Sequence, residues 1–141
     1  MSKPIISCMG VVTHIQNRQI YTALLKDKDD NWVLPKGHFK EEETFVETAI
    51  REVLEETQIK LKKEDLIDKI GEFNYFSDTE NSDKNIKVYL FKIDELQNII
   101  PLEKENFTEG KWLPLQKAIN KVTYQEQKEV LEKVKTVLNR G

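Results

Sequence analysis

The sequence predicts an α/β sandwich with a mixed sheet. Short runs rich in β-branched residues, typical of strands, lie on both sides of one segment with helical periodicity that begins at Thr44. A second amphipathic segment follows near the end of the chain. Strands before and after a central helix, with another helix at the end, favour a layered α/β fold. At 141 residues the chain is expected to form one domain, residues 1–141.

The first strands are expected to form a hairpin. Residues 5–15 are rich in β-branched side chains and predict a strand, with Gly10 as a bend or bulge. A short turn leads to a second predicted strand, residues 19–26, and a charged loop follows it. Residues 32–34 are a short apolar segment that Pro35 should end.

The central segment has the pattern of an amphipathic helix. Thr44 followed by Glu47 resembles a capping box at its start. The apolar residues recur at the interval of three to four that places them on one buried face: Phe45, Val46, Ala49, Ile50, Val53 and Leu54.

The second half of the chain predicts two more strands and a final helix. Residues 66–76 and 87–93 are the strand candidates, separated by a polar loop over residues 77–85. Residues 94–110 are expected to be irregular, and residues 111–115 a short strand or turn. From Tyr124 onward the apolar spacing predicts one amphipathic helix, with its apolar side formed by Val130, Leu131, Val134, Val137 and Leu138.

Composition excludes several classes of function. The net charge of −3 and the isoelectric point near 5.5 disfavour a protein that coats a nucleic-acid backbone, so no stable nucleic-acid partner is expected. Cys8 is the only cysteine, which rules out an intrachain disulfide and favours a core position for this residue. The N-terminus has neither a signal-peptide pattern nor the length to span a bilayer, so no membrane partner and a cytoplasmic location are expected, while the oligomeric state stays open.

Three acids near the end of the central helix predict a metal site. Glu52, Glu55 and Glu56 fall on one broad helix face, where their like charges repel one another. A Mg²⁺ or Mn²⁺ ion would remove that repulsion, because hard cations take oxygen ligands. The alternative is a solvated acidic face, with Arg51 in an ordinary ion pair. Arg51 has Glu43 or Glu47 as possible partners, and Gly37 allows a sharp turn that brings backbone near the metal.

Residues 37–59 resemble the signature of the Nudix hydrolases. Gly37 is followed after five residues by Glu43 and after seven more by the run Arg-Glu-Val-Leu-Glu-Glu-Thr at residues 51–57, and Ile59 completes the pattern. The one departure is Gln58, where the family usually has glycine. A residue with a side chain pays about 1 kcal/mol or more in the left-handed conformation that such a glycine adopts, so the helix exit is the uncertain part of the match.

The resemblance implies the fold, the reaction and the residues that perform it. The fold would be a Nudix-type α/β/α sandwich, and the reaction would be metal-dependent hydrolysis of a nucleoside diphosphate linked to another group. By resemblance, Mg²⁺ or Mn²⁺ would be held by Glu52, Glu55, Glu56 and the backbone of Gly37, and Arg51 and Glu43 would brace the loop. The proton of the attacking water would be taken by Glu52, by Glu55 or by an acid from a distant loop, for which Glu105 and Glu109 are the candidates; each also fits a solvated loop acid.

The turn at residues 32–38 resembles that of the diadenosine polyphosphate hydrolases, which carry a similar Pro-Lys-Gly-His sequence. Lys36 and His38 would then lie near the polyphosphate of a small nucleotide substrate. Aromatic residues are candidates to stack on an adenine, although each also fits a core position: Tyr75, Phe76, Tyr89 and Tyr124. The alternatives are a diphosphoinositol polyphosphate, an RNA 5′ end, an oxidised nucleoside triphosphate, a nucleotide sugar, and a module that binds nucleotides without catalysis.

Overall fold

Two layers of helix enclose a seven-stranded mixed sheet in the computed structural model, which describes residues 3–140. The strands are β1 Ile5–Gln16, β2 Gln19–Asp27, β3 Trp32–Val33, β4 Lys36–His38, β5 Leu66–Ser77, β6 Ser82–Lys92 and β7 Phe107–Pro114. The helices are α1 Phe45–Thr57, α2 Leu115–Lys121, α3 Gln125–Glu132 and α4 Val134–Leu138. Short 3₁₀ turns occupy Lys63–Asp65 and Glu103–Glu105. The predicted α/β/α sandwich with a mixed sheet is confirmed.

The sheet places β4 between two strands that diverge. Strands β1 and β2 pair with each other only near their connecting turn, where residues 13–16 face residues 19–22. Further from the turn, β3 pairs with β2 and β4 pairs with β1. The other edge of β1 runs parallel to β6, and the outer edge of β2 is antiparallel to β7. The segment that carries Lys36, Gly37 and His38 therefore lies within the sheet and not at its margin.

The protein has one hydrophobic core on each face of the sheet, and alternate residues of β1 contribute to each of them. Cys8 and Val12 face helix α1, where they pack with Ala49 and Val53. Met9 and Val11 face the opposite layer, which α2, α3 and α4 form with residues such as Ala118, Leu131 and Val134. Helix α1 begins with the predicted capping box, since Thr44 Oγ1 accepts from the Glu47 amide and the Glu47 carboxylate accepts from the Thr44 amide.

Gly10 differs from its prediction. It is neither a bend nor a bulge, because the pairing of β1 with β6 runs without interruption through Gly10 and Tyr89. The glycine is needed for close packing: a Cβ at this position would lie 2.6 Å from Cγ2 of Val53 on helix α1. Leu54 was expected on the buried face of that helix, but it is 37% exposed.

The second half of the chain also departs from the prediction in four places. The polar loop before β6 is shorter than expected, because the strand already begins at Ser82 and is largely buried from Lys84 onward. Strand β7 is longer, and it begins within the segment that was expected to be irregular. The C-terminal helix is divided into α3 and α4 at Lys133, and α2, which the sequence did not predict, precedes them. Pairing with β2 explains the extra length of β7, since its own alternation is weakly apolar.

Candidate active site

Helix α1 lies directly over strand β4, and Gly37 is where they come closest. A Cβ atom at Gly37 would overlap the carboxylate of Glu52, so only glycine fits under this side chain. Gly37 pairs with Cys8 in a regular strand, and no described glycine has a positive φ. The sharp turn predicted at Gly37 is therefore absent, and its function is close approach. The Lys36 amide donates to Oε1 of Glu56 at 3.1 Å, which ties the helix to the same strand.

Arg51 is the cationic centre of the acid cluster. Its Nε and Nη2 donate to the two carboxylate oxygens of Glu43 at 2.7 and 3.1 Å, and Nη2 also donates to the carbonyl of His38. Its Nη1 donates to Glu52 at 2.7 Å and to Glu55 at 2.9 Å. Of the two partners that the sequence offered Arg51, the structure places Glu43 against it. The paired guanidinium holds the pKa of Glu43 down to about 2. These contacts connect the loop before α1, strand β4 and the helix itself.

Glu52 and Glu56 form a buried pair of acids. Glu56 is 8% exposed, and its pKa is raised to about 8, first because burial removes water from the charged form and then because the charge of Glu52 is near. Burial also raises the pKa of Glu52, whose side chain is 14% exposed, against the opposing effect of Arg51. Glu55 differs, because its side chain is 40% exposed. Two carboxylates that disfavour their own charge form a site that a cation would stabilise.

The donor set fits a hard divalent cation. Carboxylate and backbone oxygens are the ligands that Mg²⁺ and Mn²⁺ prefer, and Gly37 leaves room for the Glu52 carboxylate beside the backbone. Within residues 3–140, no three His, Cys, Asp or Glu side chains are already arranged to hold a metal ion. Arg51 donates to both Glu52 and Glu55, so an ion held by these two acids would compete with the guanidinium for their oxygens.

The two loop acids lie in different places. Glu105, at the end of a 3₁₀ turn, lines a cavity of about 250 Å³ with Lys36 and Glu56, and its charge contributes to the raised pKa of both buried helix acids. Glu109 lies in β7, where Lys26 Nζ donates to it at 3.0 Å. That interaction is the main reason why the pKa of Glu109 is lowered. The structure thus brings Glu105, and not Glu109, to the acid cluster.

A second cavity of about 270 Å³ adjoins the first and is lined by aromatic side chains. Tyr75 and Phe73 from β5 and Tyr124 before α3 contribute to its wall. Lys36, Tyr124 and Gln127 line both cavities, so the two cavities are neighbours, and together they are called the cleft below. The Oε1 atom of Gln127 accepts from the Leu34 amide at 2.8 Å, which fixes this buried amide beside β4.

Not every predicted pocket residue reaches the cleft. Tyr89 is 9% exposed and packs in the core under helix α1. Phe76 is 54% exposed and directly follows Tyr75 in β5, so its side chain faces the opposite side of the sheet. Among the lining residues that the sequence did not predict are Phe73 and Gln127. The alternation of Phe73 and Tyr75 along β5 is a signal that could have placed both on one face. The sequence predicts a loop at Lys84, whereas the structure places this lysine in β6 and buries it.

The helix ends in the left-handed conformation despite its missing glycine. Gln58 has φ 66° and ψ 11°, and its backbone amide donates to the carbonyl of Leu54. The Gln58 side chain donates to the same carbonyl through Nε2 at 3.0 Å. Side-chain capping thus partly offsets the strain of a left-handed residue, and Ile59 still enters the core. The departure from the family pattern leaves the helix exit unchanged.

The fold and the acid cluster together define a class, a phosphohydrolase domain that carries its acids on one helix. The comparisons with known proteins agree: the NUDIX domain family matches residues 10–134, and the chain belongs to this family. This membership confirms the predicted family and enzyme class, a Nudix pyrophosphohydrolase. Nudix hydrolases generally need divalent metal ions. Among the helices of residues 3–140, none has the length and apolar character that a membrane span requires.

Several relatives resemble this chain over most of its length. The mouse bis(5'-nucleosyl)-tetraphosphatase [asymmetrical] is 29% identical over 125 residues, which cover 86% of this chain and 83% of the mouse protein. The crystal structure of a C. elegans Ap4A hydrolase binary complex superposes with a TM-score of 0.80 at 25% identity, covering 96% of this chain and 98% of that one. A protein described as mutator protein MutT4, from Mycobacterium tuberculosis, is 29% identical over 101 residues; the match covers 72% of this chain and only 40% of that protein.

Proposed function

We propose that this chain hydrolyses bis(5′-nucleosyl) polyphosphates, with diadenosine tetraphosphate as the foremost substrate. The observation that carries the proposal is the pair of adjoining cavities, one lined by Glu56 and Glu105 and the other by Tyr75, with Lys36 and Tyr124 in the walls of both. One end offers oxygen ligands for a metal and the other offers aromatic faces for a base, as a nucleotide anhydride requires. The names of the mouse and C. elegans relatives support the same substrate class.

The acids of helix α1 and the backbone of Gly37 are assigned to the metal, Mg²⁺ or Mn²⁺. Glu52 and Glu56 supply the buried oxygens, and Glu55 supplies a third from the exposed side. When bound, such an ion lowers the pKa of water and neutralises charge on the phosphate oxygens. Arg51 is a positioning residue, since its contacts with Glu43 and the His38 carbonyl hold the acid helix against β4.

Glu105 is assigned as the general base. It lines the same cavity as Glu56 and Lys36, so its carboxylate is close to the proposed metal site. The water oxygen would form a bond to phosphorus as the phosphorus–oxygen bond of the anhydride breaks, and the proton of the water would pass to the Glu105 carboxylate. Lys36 stands between the two parts of the cleft and would neutralise charge on the polyphosphate.

The aromatic part of the cleft is assigned to the nucleobase. Tyr75 is 38% exposed and Tyr124 is 46% exposed, so both rings are accessible, and stacking on a base is worth about 1–3 kcal/mol. This wall favours a nucleotide over a diphosphoinositol polyphosphate, because a nucleobase has a flat face on which these rings can stack and an inositol ring has none. The complete set of helix acids favours catalysis over a purely regulatory nucleotide-binding module. We further propose that the chain is one domain and acts in the cytoplasm.

The test is a hydrolysis panel with Mg²⁺ or Mn²⁺ on diadenosine tetraphosphate, nucleoside triphosphates, a nucleotide sugar and a diphosphoinositol polyphosphate. We expect diadenosine tetraphosphate to give the highest kcat/KM, with ATP and AMP as products. Glu56→Gln should lower kcat/KM at least about 100-fold, a loss of ~2.7 kcal/mol of transition-state stabilisation. Glu109→Gln removes the same charge outside the cleft and should stay near wild type. Turnover of another substrate class in preference, or equal rates for Glu56→Gln and wild type, would contradict the proposal.

A further inference from the structure

Lys84 is a buried lysine at the edge of the cleft. Its side chain is 3% exposed, and its Nζ donates to Oε2 of Glu80 at 2.7 Å. Nε2 of His38 lies 3.5 Å from the same Nζ. Across the strand pair, Lys84 is directly opposite Tyr75, which lines the aromatic part of the cleft. Lys84 therefore connects the β4 segment to the proposed nucleobase site.

Glu80 reaches this position from the turn between β5 and β6. Its side chain is 48% exposed, so it contacts both the solvent and, through its carboxylate, Lys84. Its pKa lies below the ordinary value, chiefly because Lys84 donates to it, and the charges of His38 and Lys36 add to the effect. The Glu80 carboxylate thus lies in the field of three cationic or titratable side chains, which come from β4 and β6.

The buried ammonium group of Lys84 is stable only with an anion beside it. A buried ammonium group is costly unless an opposite charge and hydrogen bonds compensate it. Lys36, which contributes to the field at Glu80, also lines both parts of the cleft. The anion position therefore adjoins the path of the substrate phosphates, and Glu80 fills it from within the chain.

We propose that Glu80 is an internal competitor that occupies a phosphate position formed by Lys84 and His38, and that a phosphate of a polyphosphate substrate displaces it. This inference rests on the proposed function. In the displaced state, the half-exposed Glu80 side chain moves into water and the phosphate accepts the hydrogen bond from Lys84 Nζ. The exchange favours ligands with several adjacent negative charges, because a weak anion gains too little to replace a carboxylate already in place.

The test measures binding of inorganic tripolyphosphate by calorimetry, without metal, to wild type and to Glu80→Gln. Removal of the competitor should tighten the Kd about fivefold, the factor expected for one partly exposed ion pair. Glu80→Asp keeps the charge on a shorter side chain and should give a smaller gain. The matched control is Asp78→Asn, which removes one exposed negative charge from the same turn and should change the Kd less than twofold by general charge alone. Thermal unfolding of each variant checks that it is folded.

A double-mutant cycle identifies the cation. In a Lys84→Gln background, Glu80→Gln should no longer tighten binding, because the competition is for Lys84. Weaker tripolyphosphate binding by Glu80→Gln would overturn the inference and make Glu80 a positioning residue for Lys84. An equal gain in affinity for Asp78→Asn would also overturn the inference, because the loss of any negative charge from this turn would then explain the tighter binding. The calorimetric measurement needs no turnover. A failure to hydrolyse diadenosine tetraphosphate would therefore contradict the proposed function, but it would not change the outcome of the binding test.

Discussion

Replacing Glu56 by glutamine should stabilise the metal-free protein at neutral and alkaline pH while it removes activity. The Glu56 carboxyl has a pKa of about 8 in the folded protein and 4.5 as its ordinary value, because burial and the charge of Glu52 disfavour ionisation. Below pH 4.5 the group is protonated in both states and has no effect. Between pH 4.5 and 8 only the unfolded chain loses the proton, so stability falls as the pH rises. The glutamine variant lacks this loss, and its Oε1 can still accept from the Lys36 amide.

The size of the effect follows from the same shift of the Glu56 pKa. One pKa unit corresponds to ~1.4 kcal/mol, so the full shift sets an upper limit of roughly 5 kcal/mol. Water entry and relaxation around a carboxylate at the mouth of a cleft reduce that value, and we expect about 2 kcal/mol at pH 8.5. For a chain of this length, that corresponds to a Tm about 6 °C above wild type.

Urea unfolding between pH 5 and 9 in the presence of a chelator measures the difference between Glu56→Gln and wild type. The control is Glu55→Gln, which removes the same charge one residue away from a side chain that is 40% exposed. Its unfolding free energy should follow that of wild type across the pH range. If Glu56→Gln and wild type also give parallel curves, burial of Glu56 carries no energetic penalty and the reasoning fails. Added Mg²⁺ should raise the unfolding free energy of wild type at pH 8.5 and leave that of Glu56→Gln unchanged. The reason is that only wild type keeps all the proposed metal ligands.

Three further substitutions test other parts of the site. Gln58→Gly should be more stable than Gln58→Ala by about 1 kcal/mol in urea unfolding, because only glycine adopts φ near +66° without strain; equal stability would contradict this. Gly37→Ala should lower kcat/KM at least about tenfold because its Cβ overlaps an acid of helix α1, whereas Gly71→Ala, with its nearest contact at 3.1 Å, should stay within about twofold. Glu105→Gln should reduce kcat about 100-fold with little change in KM, unlike Glu109→Gln; loss of activity in both would show that position in the cleft is not what matters.

The parts of the fold that follow from local chemistry could be predicted from the sequence. The start of α1 is determined by Thr44 and Glu47, which cap it through contacts three residues apart. The acid cluster also depends on neighbouring positions of one helix. The position of β4 between β1 and β2 could not be predicted in this way, because it depends on pairing between distant segments of the chain. Gly10 and Gly37 were misread for the same reason, since both serve the close approach of a helix that is distant in sequence.

The residues of the cleft were predictable only where they share a local motif. Lys36 and His38 belong to the signature turn; Lys36 lines both cavities, whereas His38 lies next to Lys84. Tyr75 and Tyr89 looked alike in sequence, because each is an aromatic residue in a strand. The two differ because successive side chains of a strand face opposite layers, and Tyr89 faces helix α1. The burial of Lys84 could not be predicted, because lysine is rarely buried and this one is compensated by Glu80 and His38, which come from other segments.

The site keeps its charges in place by internal pairing, and the pairs lie where ligands are proposed to bind. Arg51 holds Glu52 and Glu55, and Glu80 holds Lys84. Without such partners, Glu52 and Lys84 would each carry an unopposed desolvation penalty, as Glu56 does. Because both partners belong to the chain, contacts that stabilise the ligand-free protein would have to be broken if metal and phosphate bind as proposed. Affinity for the ligands would then be the difference between two sets of contacts. This difference is why Glu80→Gln should gain affinity for phosphate, whereas Glu56→Gln should gain stability and lose function.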